Sequence, residues 1–171
     1  MKNFALGLVA SVSIPATPLF GNVFLYECEG FEEKGCWKEC ATLECAAGSK
    51  VLYADKEGVM PEKIIITPGA GECRSWIRAA NLSETNQPPS KFVYQINGEK
   101  KEITVNGEKG KFVWVDGGPV MLPGGYSSIG FAAIKGSKAA VDCVVVTDES
   151  DFKPPKDADG LKKLRTENAK E

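Results

Sequence analysis

A cysteine flanked by two glutamates, in the stretch YECEGF at 26–31, combines residue types that could do chemistry. Such a group suits a metal site, a reactive thiol, or a strand whose two faces have different roles. On a β-strand successive side chains alternate, which places Glu27 and Glu29 on one face and Cys28 on the other. The function of this stretch therefore depends on the elements that surround it.

The composition excludes several kinds of chemistry. The chain has 171 residues, no histidine, 23 acidic and 21 basic residues, and a formal net charge of -2. Without histidine, the usual partner of serine and cysteine nucleophiles is missing, and the GxSxG, P-loop and HExxH motifs are absent as well. The lack of a basic excess argues against a nucleic-acid partner. We therefore predict a non-catalytic protein with a single folded domain.

Residues 1–21, MKNFALGLVASVSIPATPLFG, have the features of a secretory signal peptide. Lys2 precedes a short apolar run, and Pro15 and Pro18 follow it. The apolar run is too short to span a bilayer as a helix. The other interpretation is a buried strand or helix, which the prolines would break. The sequence thus predicts a secreted, cell-surface or periplasmic protein without a membrane span.

Short β-rich segments separated by turns make up residues 22–155. This pattern is typical of an all-β antiparallel sandwich or jelly roll. Asn97-Gly98 is a strong hairpin signal. The expected strands are 23–28, 51–54, 63–67, 73–79, 92–96, 102–105, 112–115, 120–122, 126–134 and 139–147. Residues 156–171 are highly charged, and we predict a flexible tail there, with a weak helix from Leu161 as the other interpretation.

Four segments carry, in order, a resemblance to a known family. They are YECEGF, GECRSWIRAA, KFVWVDGGPVMLPGGY and VDCVVVTDESDFKPP. Together they resemble galactose-binding-like β-sandwich domains of the carbohydrate-binding-module type, and most of all the golvesin and xanthan-lyase domains. The resemblance covers about Phe24 to Pro155 and implies a jelly roll that binds sugar. The chain departs from the family pattern at Cys28, Cys73, Phe112 and Glu149.

The resemblance also implies a structural calcium site. In such domains the first and last strands are antiparallel neighbours, and acids from both strands bind the ion. The matching positions here are Glu27, Glu29 and Asp142, and carboxylate oxygens suit calcium. Without a cation these carboxylates would repel one another. The other interpretation is that the glutamates are exposed or are hydrogen-bonded at the sheet edge.

The six cysteines are predicted to form disulfides, as is usual for an even number in an oxidising compartment. If the first and last strands are neighbours, Cys143 should approach Cys28, and the bond would stabilise the fold by about 4–5 kcal/mol. Two buried thiols are the other interpretation. The remaining cysteines are Cys36, Cys40, Cys45 and Cys73. One of the three loop cysteines would bond to the strand cysteine, and the sequence does not decide which.

Aromatic and hydrogen-bonding side chains are the candidates for sugar contacts, because a ring can stack on the apolar face of a pyranose. The predicted ligand-binding residues are Trp37, Arg78, Asn81, Trp114 and Tyr126. Trp37, in the cysteine-rich loop, is expected to be the most exposed platform. Trp76 and Phe112 are further candidates, although tryptophan is often a core residue.

The sequence therefore predicts a secreted, non-catalytic carbohydrate-binding domain over residues 22–155, with a glycan or polysaccharide as its partner and calcium as its cofactor. The alternative is a structural or protein-interaction β-sandwich at the cell surface. Exposed aromatic rings in a groove would favour sugar, and a flat apolar patch would favour protein.

Overall fold

The computed structural model describes residues 21–40, 50–60, 62–84 and 86–168. The predicted leader, apart from its last residue, and Cys45 lie outside these ranges. For Glu29 and Pro68 the backbone alone is described. The described part contains no helix with the length and apolar character that a membrane crossing requires.

The secondary structure consists of β-strands followed by a C-terminal helix. The strands are β1 (Val23–Glu27), β2 (Lys38–Cys40), β3 (Val51–Ala54), β4 (Gly58–Val59), β5 (Lys63–Asn81), β6 (Ser90–Ile96), β7 (Glu99–Val105), β8 (Phe112–Ala133) and β9 (Ala139–Thr147). The helix α1 spans Ala158–Asn168, and a single 3-10 turn, Cys28–Gly30, follows β1.

The described strands form one antiparallel sheet that folds into two layers. Along it the order is β2-β3-β9-β5-β8-β6-β7, with β1 beside β9 and β4 beside β8. β9 lies in one layer with β1, β3 and the second half of β5. The second half of β8 lies in the other layer with β6, which in turn pairs with β7. The predicted antiparallel β-sandwich is thus confirmed.

The strands β5 and β8 run through both layers as one ladder, and they contain 19 and 22 residues. The sequence predicted two separate strands within β5 and three within β8, because Pro-Gly and Gly-Gly pairs are typical of turns. That prediction is wrong, since the ladder continues past these pairs, with register shifts after Thr67 and Ser75. At Gly117, beside the second register shift, an added Cβ would lie 2.2 Å from Ser75 Oγ, so this position requires glycine.

An aromatic cluster fills the space between the layers. The ring centroid of Trp37 lies 5.9 Å from that of Phe131 and 6.2 Å from that of Phe92, and Trp37 is only 2% exposed. The prediction that Trp37 is an exposed platform for sugar is therefore wrong. The loop that carries it folds inward, because an indole ring buries a large apolar area.

The turn between β6 and β7 is the predicted hairpin. Asn97 and Gly98 have φ values of 50° and 82°. Positive φ at both central residues is the geometry that Asn-Gly favours in two-residue hairpins. The hairpin prediction is confirmed.

The chain after β9 is packed against the sandwich rather than flexible. Asp157 Oδ1 accepts a hydrogen bond of 2.7 Å from Gly160 N, which caps the first turn of α1. Leu161 and Leu164, 2% and 7% exposed, pack against apolar residues of β1 and β9. The prediction of a flexible tail over 156–171 is therefore wrong for the described part of that range.

Replacing Trp37 with alanine is expected to lower the free energy of unfolding by about 3–5 kcal/mol, because it leaves a cavity between the layers. Tyr126→Ala is the matched control, since Tyr126 is 73% exposed, and it should change that free energy by less than about 0.5 kcal/mol. Urea denaturation of both variants measures the difference. Equally small effects would contradict the core position of Trp37.

Candidate functional site

One outer face of the sandwich is built from alternate residues of β5 and β8. Arg78 and Trp114 are Cα partners in this ladder. Their neighbours Ile77 and Val113 pack into the core between the layers. Because strand side chains alternate, Arg78 and Trp114 project from the outer face. The other outward positions are Arg74, Trp76, Phe112 and Asp116.

Three aromatic residues of this face line a groove of about 490 Å³, a size that suits a small ligand. They are Trp76, Phe112 and Trp114, and each is partly exposed. The segment after β9 completes the lining with Lys153, Pro154 and Lys156. Trp114 Nε1 donates a hydrogen bond of 2.9 Å to the carbonyl oxygen of Pro155, which ties this segment to the ring.

Two arginines stack on the rings of this aromatic groove. Arg78 Cζ lies 4.7 Å from the ring centroid of Phe112, and Arg74 Cζ lies 5.4 Å from that of Trp76. Such cation–π contacts favour one ring orientation. Asp116 accepts a hydrogen bond of 3.1 Å from Arg74 Nε, so this guanidinium group contacts a carboxylate as well as the ring.

A network of carboxylates and guanidinium groups adjoins the groove through Arg78. Arg165 of α1 places Nη2 at 2.9 Å from Asp142 Oδ1 and at 3.1 Å from Glu27 Oε2. Arg78 Nη1 donates to Asp142 Oδ2. Asp142 is completely buried, so these guanidinium groups neutralise a charge that water does not reach.

Burial and ion pairing act in opposite directions on this network. Burial raises the pKa of the Glu27 carboxyl above its ordinary value, against the hydrogen bond and charge of Arg165. For Arg165, burial acts to lower the pKa, but the hydrogen bond to Glu27 and the charge of Asp142 outweigh it and raise the pKa. Arg165 therefore remains positively charged beside the two carboxylates.

A β-bulge in β9 turns Asp142 and Cys143 to the same side. Along β5, Arg78 pairs with Cys143 and Ala79 with Val141, which leaves Asp142 as the extra residue. Cys143 Sγ accordingly lies 3.9 Å from Asp142 Oδ2. Simple alternation would direct Asp142 and Cys143 to opposite faces, and the bulge interrupts it.

The first and last strands are neighbours, as the resemblance implied, but their cysteines do not meet. β1 ends at Glu27, and Cys28 begins the 3-10 turn. The Cα partner of Cys143 is Glu27. Cys143 is a free thiol that packs beneath α1, whereas Cys28 belongs to the core between the layers. The predicted Cys28–Cys143 disulfide is therefore not formed.

The other predicted disulfides concern the loop and β5. Cys73 is a buried free thiol and Cys36 is a half-buried free thiol, so the expected bond from the loop to Cys73 is not formed either. Cys45 lies outside the described residues, and any pairing with it stays a prediction.

Glu27 and Asp142, two of the acids predicted to bind calcium, are arranged around a guanidinium group rather than around an open space for a cation. Arg165 bridges Glu27 and Asp142 with its guanidinium group. Within the described ranges, no group of three or more His, Cys, Asp or Glu residues is placed to hold a metal ion. The side chain of Glu29 is outside the description, and calcium binding by the three acids stays a prediction.

Two other predicted ligand residues lie outside the groove lining. Asn81 is used within the fold, since its Oδ1 accepts hydrogen bonds of 3.0 Å from Ser83 N and 2.7 Å from Ser90 Oγ. Tyr126 is exposed and stands opposite Ile66 in the β5–β8 ladder. Of the five predicted ligand residues, the structure brings Arg78 and Trp114 together, while Trp37, Asn81 and Tyr126 lie elsewhere.

Tyr126 belongs to a group of exposed apolar side chains. Ile64, Ile66 and Tyr126 are 62%, 68% and 73% exposed, and their positions in the ladder place them on the same face of the sheet. We call these three residues the apolar patch. It borders a cleft of about 540 Å³ lined by Phe31, Glu62 and Ile64, among others. Phe31 is 1% exposed, so this cleft offers a sugar no aromatic ring face from that residue.

The sequence interpretation missed Lys156 and Arg165 because it treated residues 156–171 as a flexible tail, and it missed Lys153 because that residue follows the last predicted strand. A signal was present: Asp157 precedes a segment in which Leu161 and Leu164 are three residues apart. A capping aspartate followed by this spacing is typical of an amphipathic helix.

The fold is that of carbohydrate-binding modules. A family 35 module from Clostridium thermocellum matches with a TM-score of 0.59 and 17% identity, over 72% of this chain and 97% of that one. The C-terminal CBM6 of LamC, a marine laminarinase from Zobellia galactanivorans, matches with a TM-score of 0.58 and 18% identity. The match covers 74% of this chain and 100% of the CBM6. A Podospora anserina GH26-CBM35 β-(1,4)-mannanase matches with a TM-score of 0.60 and 16% identity, over 77% of this chain and 29% of the mannanase.

These matches establish the fold, and the predicted β-sandwich of the carbohydrate-binding-module type is confirmed at that level. The chain covers 29% of the mannanase, which is a longer protein. No protein-family model matches the sequence, and the comparison with curated proteins finds no match. The golvesin or xanthan-lyase subtype stays a prediction.

The thiols of Cys73 and Cys143 are expected to resist alkylation in the folded protein. Burial raises the pKa of Cys73 to about 11 and that of Cys143 well above its ordinary value, so the reactive thiolate is scarce at mildly alkaline pH. Iodoacetamide labelling before and after unfolding, read by peptide mass spectrometry, checks this. A disulfide between Cys28 and Cys143 in the native sample would contradict the structure.

Proposed function

We propose that this chain is a non-catalytic glycan-binding domain and that the aromatic groove is its binding site. The observation that carries the proposal is the set of partly exposed rings of Trp76, Phe112 and Trp114 in a groove of about 490 Å³. Flat rings beside hydrogen-bonding groups are the combination that pyranose recognition requires. A fold shared with carbohydrate-binding modules supports the proposal without deciding it.

The groove is also suited to a ligand with negative charges. Lys153 and Lys156 line it, and within the described part of the chain neither lysine forms an ion pair, whereas the arginines on this face are paired with Asp116 and Asp142. Unpaired ammonium groups attract carboxylates or sulfate esters. The proposed ligand is therefore a polysaccharide that carries acidic groups, bound in a salt-dependent manner.

Secretion to the cell exterior or periplasm is part of the same proposal. It rests on the leader predicted at residues 1–21 and on the extracellular location of polysaccharides. Mass spectrometry of the N-terminus of the mature protein tests it, and an intact leader would contradict it.

Truncation of a groove ring is expected to weaken glycan binding. Trp76→Ala and Trp114→Ala should each raise the Kd by about tenfold or more, equivalent to about 1.4 kcal/mol, because each removes a stacking surface. Affinity electrophoresis against matched neutral and acidic polysaccharides, followed by calorimetry on the best binder, gives the measurement.

Tyr126→Ala is the control for those variants, since Tyr126 is exposed and lies outside the groove lining. It should bind like the wild type. Lys153→Gln combined with Lys156→Gln should weaken the acidic ligand and leave a neutral one unchanged. Loss of binding in the Tyr126 variant with retention in the groove variants would place the site on the apolar patch instead.

The apolar patch supports the second candidate function, a protein-interaction module. A group of exposed Ile64, Ile66 and Tyr126 side chains suits contact with protein more than with sugar. If the patch binds a second copy of the chain, Ile66→Lys should convert a dimer into a monomer without changing glycan affinity. Sedimentation velocity across a concentration series measures this, and a wild type that stays monomeric would contradict self-association.

A further inference from the structure

Two neighbouring carboxylates, one on β1 and one on β9, lie where the described structure leaves little contact with water. Asp142 is completely buried, and the side chain of Glu27 is 25% exposed. Neighbouring carboxylates in such a place destabilise the fold unless a positive charge neutralises both. A divalent cation is one solution, and a guanidinium group is another.

Arg165 supplies that positive charge with a geometry suited to both acids. Its Nη2 lies 2.9 Å and 3.1 Å from the two oxygens of Asp142, and 3.1 Å from Glu27 Oε2, while Nε also donates to Glu27. A guanidinium group presents several N–H donors in one plane and can therefore bind two carboxylates at once. Its side chain is 13% exposed, so solvent screens the contacts weakly.

The rest of α1 holds Arg165 in place. Asp157 caps the first turn, and Leu161 and Leu164 pack on Leu25 and Val145. Leu161 and Arg165 are four residues apart and therefore lie on the same face of the helix. The apolar contact and the ion pair therefore form together when α1 packs on the sheet.

We propose that Arg165 is a tethered substitute for a divalent cation at the Glu27–Asp142 carboxylates. The Arg165 guanidinium group of α1 is the counter-ion of these carboxylates, so the domain is stable without calcium between Glu27 and Asp142. Loss of Arg165 then leaves Glu27 without its ion-pair partner and Asp142 with Arg78 alone, and the fold depends on the helix rather than on a metal.

Thermal unfolding of the full chain with millimolar calcium and with a chelator is the first test. The expected result is the same Tm in both conditions and no heat of calcium binding in calorimetry. A Tm that rises with calcium and falls with the chelator would overturn the proposal.

Substitution of Arg165 is the second test. Arg165→Met keeps an apolar side chain and removes the charge, and it should lower the Tm by roughly 10 °C, as expected for breaking a buried ion pair. Arg74→Met is the matched control: Arg74 pairs with Asp116 at the surface, with 51% and 39% of the side chains exposed, and its Tm should change by less than about 2 °C.

A double substitution keeps the proposal falsifiable if Arg165→Met alone fails to fold. Adding Glu27→Gln removes the carboxylate that Arg165 no longer neutralises and should recover part of the lost Tm, whereas Glu27→Gln alone should lower the Tm. Additive losses would mean that the two side chains are not coupled and would overturn the proposal. Glycan affinity is measured in parallel, and its absence in the wild type would refute the proposed function without affecting these stability results.

Discussion

The pairing of β5 with β8 is the interaction on which both the core and the groove depend. Because the two strands run through both layers, their hydrogen bonds hold the sandwich together as one folded sheet. The inner positions of the ladder supply core residues such as Ile77 and Ile129, and the outer positions supply Trp76 and Trp114. The rings of the groove are therefore held by the same backbone that forms the core, on a rigid element rather than on a loop.

A single extra residue in β9 explains the charge network on that face. The bulge directs Asp142 to the side of Cys143, which would bury a carboxylate beneath α1 without a partner. Arg78 neutralises it from β5, and Arg165 neutralises it from the helix. Since Arg78 also stacks on Phe112, the charge network and the groove share one side chain. A substitution at Asp142 would therefore alter the position of Arg78 against the Phe112 ring.

Local patterns in the sequence predicted the layers of this fold, while long-range contacts decided the rest. β-Branched segments and Asn97-Gly98 indicated a sandwich, and the adjacency of the first and last strands followed from the resemblance. Turn residues inside β5 and β8 were misleading, because a bend in a paired strand and a turn between strands both use glycine and proline. The bulge at Asp142 has no local signal, since β5 defines it by register.

The same reasoning explains why Arg78 and Trp114 share an outer face, whereas the predicted exposure of Trp37 is wrong. Arg78 and Trp114 lie on regular strands, where a period of two assigns a face from the residue number alone. Trp37 lies outside such a pattern, and only the space between Phe92 and Phe131 determines where its ring goes.

The folded unit extends through α1 because the segment after β9 is attached both to the groove and to the sheet. Trp114 holds Pro155 by a hydrogen bond, and Asp157 begins the helix that Leu161 and Arg165 attach to the sheet. Lys156 lies between these attachments and Lys153 lies two residues before Pro155, so both lysines are positioned beside the rings. A site held in this way would lose little conformational entropy on binding the proposed ligand, and the helix would favour that binding without touching the ligand.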